Sequence, residues 1–206
     1  MRNELEYFYV SGEYGGDQDW FIDPWMHLGG CGAETACDCS IYFTLYKGKD
    51  LYPFDVSNLN KRDYIRFSKV MKPYLRPRHR GIDRLDIYID GFEKYLRDQG
   101  ETGIAMDEFS GHASAEEAAA KVIGQIDKGL PIPILVLQHK DPRFVDYVWH
   151  WFLLNGYEWR ETAGSAGRKF FVKAVSYGEW EWFDFERLWD TGYSEKGGLV
   201  LFREID

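Results

Sequence analysis

The sequence predicts an α+β fold in which a helical N-terminal part packs on a C-terminal antiparallel β-sheet. Helical patterns follow one another from about residue 31 to residue 129, and short apolar strands follow from about residue 130 onwards. Helices and strands that occupy separate stretches of a chain are typical of this class. Because 206 residues suffice for one domain with a substantial core, we expect a single domain over residues 1–206.

Helical periodicity and end signals predict four helices. Ser57 is a predicted N-cap, and Pro73 stops the helix that it begins. Ser114 and Glu117 have the spacing of a capping box, which begins the last of the four. The predicted helices span residues 32–47, 57–71, 82–97 and 114–128.

Alternating and short apolar runs predict the strands. One early strand is expected at residues 5–10, and the Gly- and Trp-rich residues 11–30 are interpreted as an extended loop. Residues 183–189 are expected to hold a short helical turn, and residues 160–169 form a predicted hairpin tip. The later strands are predicted at residues 131–137, 150–158, 170–177, 179–183 and 199–203.

The net charge of −9 limits the classes of partner. An acidic surface repels nucleic-acid phosphates and anionic lipid headgroups, so we expect neither a nucleic acid nor a membrane as partner. No apolar run is long enough to cross a bilayer, and the acidic start lacks a signal region. Three cysteines within nine residues form no disulfide framework, which favours a reducing, cytoplasmic location.

One basic island interrupts the acidic composition. It contains four arginines and one histidine, and Pro77 lies inside it. A solvated loop and a site for a small anion or carboxylate are the two interpretations. The residues are Arg76, Arg78, His79, Arg80 and Arg84.

Cys31 lies in a glycine-rich turn, residues 29–33, that begins the first predicted helix. A thiol in the first turn of a helix faces the positive end of the helix dipole, which favours the thiolate. Gly29, Gly30 and Gly32 let the backbone approach a substrate closely, and the Cys31 N–H can donate to an oxyanion. A buried, inert cysteine is the structural alternative.

The other two cysteines, Cys37 and Cys39, lie further along the same helix. Side chains two residues apart diverge by roughly 200° on a helix, so these two cannot share a tetrahedral metal ion. His27 and Cys31 can reach one ion, but four convergent ligands are not visible. We therefore expect no metal and no other cofactor, and we interpret Cys37 and Cys39 as core or helix-surface residues.

His150 begins a buried strand that runs through Trp151 to Gly156 and Tyr157. An imidazole beside a thiolate can act as general base and then as general acid. The place of His150 at the mouth of its strand favours the edge of a cleft, and a satisfied core histidine is the alternative. Among the other histidines, His27 is the competitor, since it lies four residues before Cys31.

These motifs together resemble the papain-like cysteine peptidase superfamily, and most of all bacterial branches related to the bacteriocin-leader-processing, or double-glycine-leader, peptidases. The resemblance covers the Cys31 helix and residues 131–206, whereas residues 50–129 have no matching motif. The matching stretches are Cys31-Gly32, His150 to Tyr157, and Ser176-Tyr177-Gly178.

The resemblance implies a papain-like fold, with a helical lobe over about residues 31–129 and a β lobe over about residues 130–206. It implies a nucleophilic Cys31 that forms a thioester with the substrate, and His150 as the general base and acid. The chain departs from the family at the oxyanion-hole glutamine, whose place is taken by Trp25. Trp25 or His27 can donate instead, and Gln18 can do so only if the loop folds back.

The second departure is Val175, which stands where papain relatives have the asparagine that orients the histidine. Valine cannot accept a proton from His150. Ser176 can accept one if the register slips by one residue. Glu179 and Asp184, from the neighbouring turn, are further alternatives.

Two functions follow as hypotheses. The first is a cysteine hydrolase, a peptidase or amidase acting on a peptide or small amide, with Gly30, Trp25, His27, Trp149 and Trp151 around its cleft. The second is a catalytically impaired papain-like protein that binds a peptide or protein partner, which Trp25 and Val175 favour. Other acyl-transfer chemistry on the same fold remains open, and the sequence does not indicate the oligomeric state.

Overall fold

The computed structural model describes residues 1–161 and 167–205 and has the α+β class that the sequence predicts. One antiparallel seven-stranded sheet has the order β4-β9-β5-β6-β7-β8, and β1 pairs with β6 beyond the end of β5. A small hairpin, β2-β3, forms a second, two-stranded sheet. The strands are β1 (Arg2–Glu4), β2 (Tyr9–Val10), β3 (Glu13–Tyr14), β4 (Ile104–Ser110), β5 (Ile132–Val136), β6 (His150–Glu161), β7 (Arg168–Ser176), β8 (Glu179–Asp184) and β9 (Gly198–Glu204).

Six α-helices are present in the described part of the chain, together with three short 3-10 helices. The 3-10 helices are Gln18–Trp20, Val56–Asn58 and Pro142–Tyr147. No described helix has both the length and the apolar character that a membrane crossing requires. The α-helices are α1 (Pro24–Gly29), α2 (Cys31–Lys47), α3 (Lys61–Met71), α4 (Leu85–Asp98), α5 (Ala115–Asp127) and α6 (Phe185–Trp189).

Some predicted boundaries are wrong for identifiable reasons. The N-cap of α3 is Asn60, whose side chain accepts from the N–H of Asp63, and Ser57 belongs to a preceding 3-10 turn. α1 lies inside the predicted loop, where Asp23 caps it and Pro24 occupies its first position. The capping box of α5 is confirmed.

The separation of helices from strands along the chain is incomplete. β4 lies within the stretch that was predicted to be helical, and it pairs with β9 over its whole length. Acidic residues in its second half hid its alternating pattern, because Asp and Glu are depleted in strands. The predicted hairpin tip joins β6 to β7, which still pair at Glu161 and Arg168, and residues 162–166 lie outside the described residues.

α2 is the central helix of the core. Every residue from Cys31 to Phe43 is buried, so the helix is covered on all sides. It contacts β6 on one side and α3 on another. This burial fixes the direction of the helix and brings its first residue to the edge of the sheet where β6 begins.

The antiparallel register of β6 and β7 determines which ends meet. Leu153 pairs with Val175, so the start of β6 and the end of β7 lie at the same edge of the sheet. His150 is the first residue of β6, and Ser176 is the last residue of β7. Two residues that are 26 positions apart in sequence are therefore neighbours in space.

Candidate functional site

Cys31 is the first residue of α2, as predicted, and Gly30 caps the helix without a side chain. The Gly30 N–H donates to the Met26 carbonyl at 2.8 Å, so α1 runs directly into α2. A Cβ at position 30 would collide with that carbonyl, which explains the glycine. The thiol is 5% exposed, with the free N–H groups of the first helical turn around it.

Burial raises the pKa of the Cys31 thiol to about 11. The backbone N–H of Trp151 opposes this shift, as do the N–H groups of Gly32 and Cys31 itself, whereas the Glu34 carboxyl adds to it. The thiol is therefore protonated at neutral pH in the free protein. The Trp151 contact also shows that the start of β6 lies against the sulfur.

The imidazole of His150 is fixed on two sides. Its Nε2 is 2.7 Å from the Ser176 hydroxyl, and the Tyr177 ring stacks on it with a centroid distance of 4.9 Å and an angle of 3°. Burial lowers the pKa of His150 to about 4, so the ring is neutral at pH 7. When Nε2 donates to Ser176, Nδ1 carries the lone pair and can accept a proton.

The described residues contain no direct hydrogen bond between Cys31 and His150. The two lie in one neighbourhood nonetheless, because the residue after His150 contacts the thiol and Tyr177 covers the imidazole. Burial raises the pKa of Tyr177 to about 12, and the Cys31 thiolate charge is the next largest cause. Catalytic contacts are often long in free enzymes and shorten when substrate binds.

Ser176, rather than Val175, contacts the imidazole, which answers the question of register raised by the sequence. Val175 is buried and pairs with Leu153 in the sheet. Of the alternative orienting residues, Asp184 binds Lys169 at 2.7 Å, and Glu179 lies on the wall of a neighbouring cavity. The contact uses Nε2 of the ring, so Nδ1 is left for another partner.

The candidate oxyanion donors lie at different depths. Trp25 is 64% exposed on a cavity wall, and His27 is exposed as well. Gln18 is buried, because the loop does fold back, and its Nε2 donates to the His27 carbonyl at 2.6 Å. One N–H of this amide remains for another acceptor.

Two aromatic residues next to the site adopt left-handed backbone conformations. Trp149 has φ 52° and precedes His150, and Tyr177 has φ 51° and follows Ser176. Such torsions in bulky residues cost roughly 1–3 kcal/mol each and collect at functional sites. Tyr177 and Gly178, with φ 70°, form the two-residue turn between β7 and β8.

A cavity of about 450 Å³ opens beside Cys31. We call it the thiol-side cavity. Trp149 lines it as predicted, but the Trp151 indole does not, since it is fully buried, stacks on Tyr88 at 4.3 Å and donates to the Ile82 carbonyl. The prediction that Trp151 forms a wall of the cleft is therefore wrong. The lining residues are Trp25, Leu28, Gly29, Cys31, Pro77, Arg78, His79, Arg80, Gly81 and Trp149.

A second cavity, of about 690 Å³, is lined by Ser176 and Tyr177, the two residues that contact the imidazole. We call it the imidazole-side cavity. Its charged lining residues are all acidic: Asp19, Asp146, Glu179 and Glu181. The sequence predicts Trp149 at the cleft and allows an anion site in the basic island, but no signal in it places that island in the same cavity as Cys31.

The described residues contain no group of three or more His, Cys, Asp or Glu side chains that could hold a metal ion. Comparisons of the chain with profiles of protein families, with curated proteins and with solved structures find no significant match.

Proposed function

We propose that the protein is a cysteine hydrolase of papain-like type, a peptidase or amidase that cleaves through a Cys31 thioester. One observation carries the proposal. The Cys31 thiol lies at the start of a buried helix and against the N–H of Trp151, and the imidazole of the adjacent His150 is bound to Ser176. A nucleophile, a base and an orienting group therefore share one edge of the sheet.

The Cys31 sulfur attacks the amide carbon as its proton passes to His150 Nδ1. The oxyanion that forms accepts from the Cys31 N–H and the remaining N–H of Gln18. The C–N bond breaks as the imidazolium gives its proton to the leaving amine. His150 then takes a proton from water, whose oxygen attacks the thioester and releases the acid and the free thiol.

Proton transfer and attack on the carbonyl are expected to be concerted. The Coulomb attraction between a thiolate and an imidazolium is ~4 kcal/mol at a separation of 4 Å and an effective dielectric constant of 20. pKa values of about 11 for Cys31 and about 4 for His150 disfavour that ion pair by more than this. The free protein therefore holds a thiol and a neutral imidazole, and charge develops only with substrate.

The test is thiol labelling of the native protein with iodoacetamide, with each cysteine quantified by mass spectrometry. We expect Cys31 to react fastest, since it alone lines a cavity. Its rate should keep rising above pH 9, because the pKa is about 11. Incubation with a peptide mixture should give products that Cys31→Ala does not give. Equal, slow labelling of all three cysteines would contradict the proposal.

A second function, binding of a peptide without hydrolysis, is favoured by one observation. The thiol and the imidazole are both 5% exposed and both neutral at pH 7, which lowers nucleophilicity. The same peptide mixture separates the two functions. Retention of peptides by wild type and Cys31→Ala alike, without cleavage by either, would support binding and overturn hydrolysis.

A further inference from the structure

The thiol-side cavity combines apolar walls with positive charge. Its walls include Trp25, 64% exposed, Leu28, 79% exposed, and Trp149, 42% exposed, which are large apolar surfaces to leave in water. Pro77 closes one side, and the Cys31 thiol lies in the lining. These surfaces suit an aromatic or aliphatic group that enters next to the sulfur.

The charge comes from the basic island, which the proposed reaction does not use. Arg80 is held in place by Glu195 at 2.8 Å and by the Trp149 ring at 5.0 Å. Arg78 has no carboxylate within 4.0 Å in the described part of the chain. Its guanidinium is therefore available to an incoming anion, and a guanidinium can bind a carboxylate through two parallel hydrogen bonds.

The positive charge of the thiol-side cavity contrasts with the acidic composition of the chain. The chain has 34 acidic and 25 basic residues, yet among the described residues the thiol-side cavity is lined by two arginines, Arg78 and Arg80, and by no carboxylate. The imidazole-side cavity has the opposite sign and repels an anion. Of these two cavities, only the thiol-side cavity therefore favours a negatively charged group.

The chemistry of the dyad distinguishes the two halves of a cleaved amide. The imidazole protonates the leaving amine, so the amine departs on the side of His150 and Ser176. The acyl half remains bonded to sulfur on the side of Cys31. We propose that the thiol-side cavity binds an acyl segment that carries an apolar side chain and a carboxylate, with Arg78 as its anion-binding residue; the assignment to the acyl half rests on the proposed hydrolase function.

A matched pair of reagents tests the cavity without a known substrate. Iodoacetate and iodoacetamide alkylate through the same carbon and differ in one negative charge. The ratio of their rates at Cys31, divided by their ratio for free glutathione, measures the attraction of the site for a carboxylate. We expect a normalised ratio above one in 20 mM salt that falls at 500 mM salt, because the charges are partly exposed.

Two variants of the same loop give the matched control. Arg78→Glu should lower the normalised ratio by about five-fold or more, the effect of reversing one charge near the sulfur in a solvated cavity. Arg76→Glu makes the same change in net charge two residues away, outside the cavity lining, and should leave the ratio within two-fold of wild type. Equal melting temperatures establish that both variants fold.

Cleavage of a mixed peptide library then assigns the side. Acidic residues together with apolar ones should be enriched on the acyl side of cleaved bonds for wild type and Arg76→Glu, and this enrichment should be lost for Arg78→Glu. A reactive Cys31 with a ratio near one, or cleavage without acidic preference, overturns this inference and leaves the hydrolase intact. An unreactive Cys31 with no cleavage overturns the hydrolase, and the acyl-side assignment fails with it.

Discussion

The first turn of α2 and its middle differ in what they do with the same residue type. Cys31 begins the helix, lines an open cavity and receives backbone N–H groups at its sulfur. Cys37 and Cys39, on the same helix, are fully buried, and burial raises the pKa of both well above the usual value. Position along one helix therefore decides which thiol can meet a substrate.

The middle of α2 also carries carboxyl groups that serve structure. Asp38 accepts from the hydroxyls of Tyr7 and Tyr64, both at 2.7 Å, and from the Gly16 N–H at 3.1 Å. Burial raises the pKa of Asp38 to about 6 against these bonds, and its charge raises that of buried Glu34 further. This polar cluster holds the N-terminal segment against the helix.

The largest expected effect separates the three thiols. Cys31→Ala should lower kcat/KM by at least ~10⁴-fold, because it removes the sulfur on which the proposed thioester forms. Cys37→Ala should leave kcat/KM within about three-fold and lower the unfolding free energy by ~1–2 kcal/mol through the small cavity that it creates. Peptide cleavage and urea unfolding of both variants measure the contrast. Turnover by Cys31→Ala near the wild-type rate would show that Cys31 is not the nucleophile.

The pH dependence of the unfolding free energy should have opposite signs for two buried groups: His150, in the candidate site, and Asp38, in the middle of α2. The pKa of His150 is about 4 in the folded protein and near 6.5 when unfolded, so the unfolded chain binds the proton first. Wild type should lose up to ~3 kcal/mol relative to His150→Gln as pH falls from 7 to 4. Urea titrations at both pH values measure this difference.

Asp38 provides the reversed case. Its pKa of about 6 in the folded protein lies above 3.8, so its contribution to stability is present at low pH and is lost as pH rises through 6. Wild type should therefore lose up to ~3 kcal/mol relative to Asp38→Asn as pH rises from 4 to 7. If the unfolding free energies of wild type and both variants changed with pH in parallel, neither His150 nor Asp38 would contribute as we expect.

The smallest effect concerns the orientation of the imidazole. Ser176→Ala removes the hydroxyl from His150 Nε2 and should lower kcat by about 10- to 100-fold with little change in KM, since tautomer and ring angle are less fixed. Ser176→Thr keeps the hydroxyl and should recover most of the rate. A rate for Ser176→Ala equal to wild type would mean that stacking on Tyr177 alone orients the ring.

The sequence predicts the α+β class and most of the helices and strands, but of the candidate catalytic groups it predicts directly only Cys31 and His150. Cys31 and His150 could be found because each begins a regular element, and end signals are local. Ser176 could be named only as an alternative to Val175, because the choice depends on the pairing of β7 with β6. The sequence did not place Arg78 in the same cavity as Cys31, because the two are far apart along the chain and only tertiary packing brings them together.

β4 and Gln18 show two further limits of local patterns. β4 is stable as a strand because its whole length pairs with β9, which is almost 100 residues away in the chain. Gln18 lies thirteen residues before Cys31, and its hydrogen bond to the His27 carbonyl depends on α1, whose Asp23 and Pro24 end signals are short. Tertiary contacts override weak local preferences at both places.

The left-handed torsions of Trp149 and Tyr177 have a consequence for how this protein tolerates change. The turn that contains Tyr177 is clamped by the Tyr14 N–H on the Gly178 carbonyl at 2.7 Å and by the Gly178 N–H on the Gly16 carbonyl at 2.9 Å. Glycine at position 149 or 177 would relax the backbone, but it would delete either the Trp149 ring of the thiol-side cavity or the Tyr177 ring that stacks on the imidazole. Selection for thermal stability alone would favour glycine at these positions. Screens for heat-resistant variants should therefore recover such substitutions among the inactive clones.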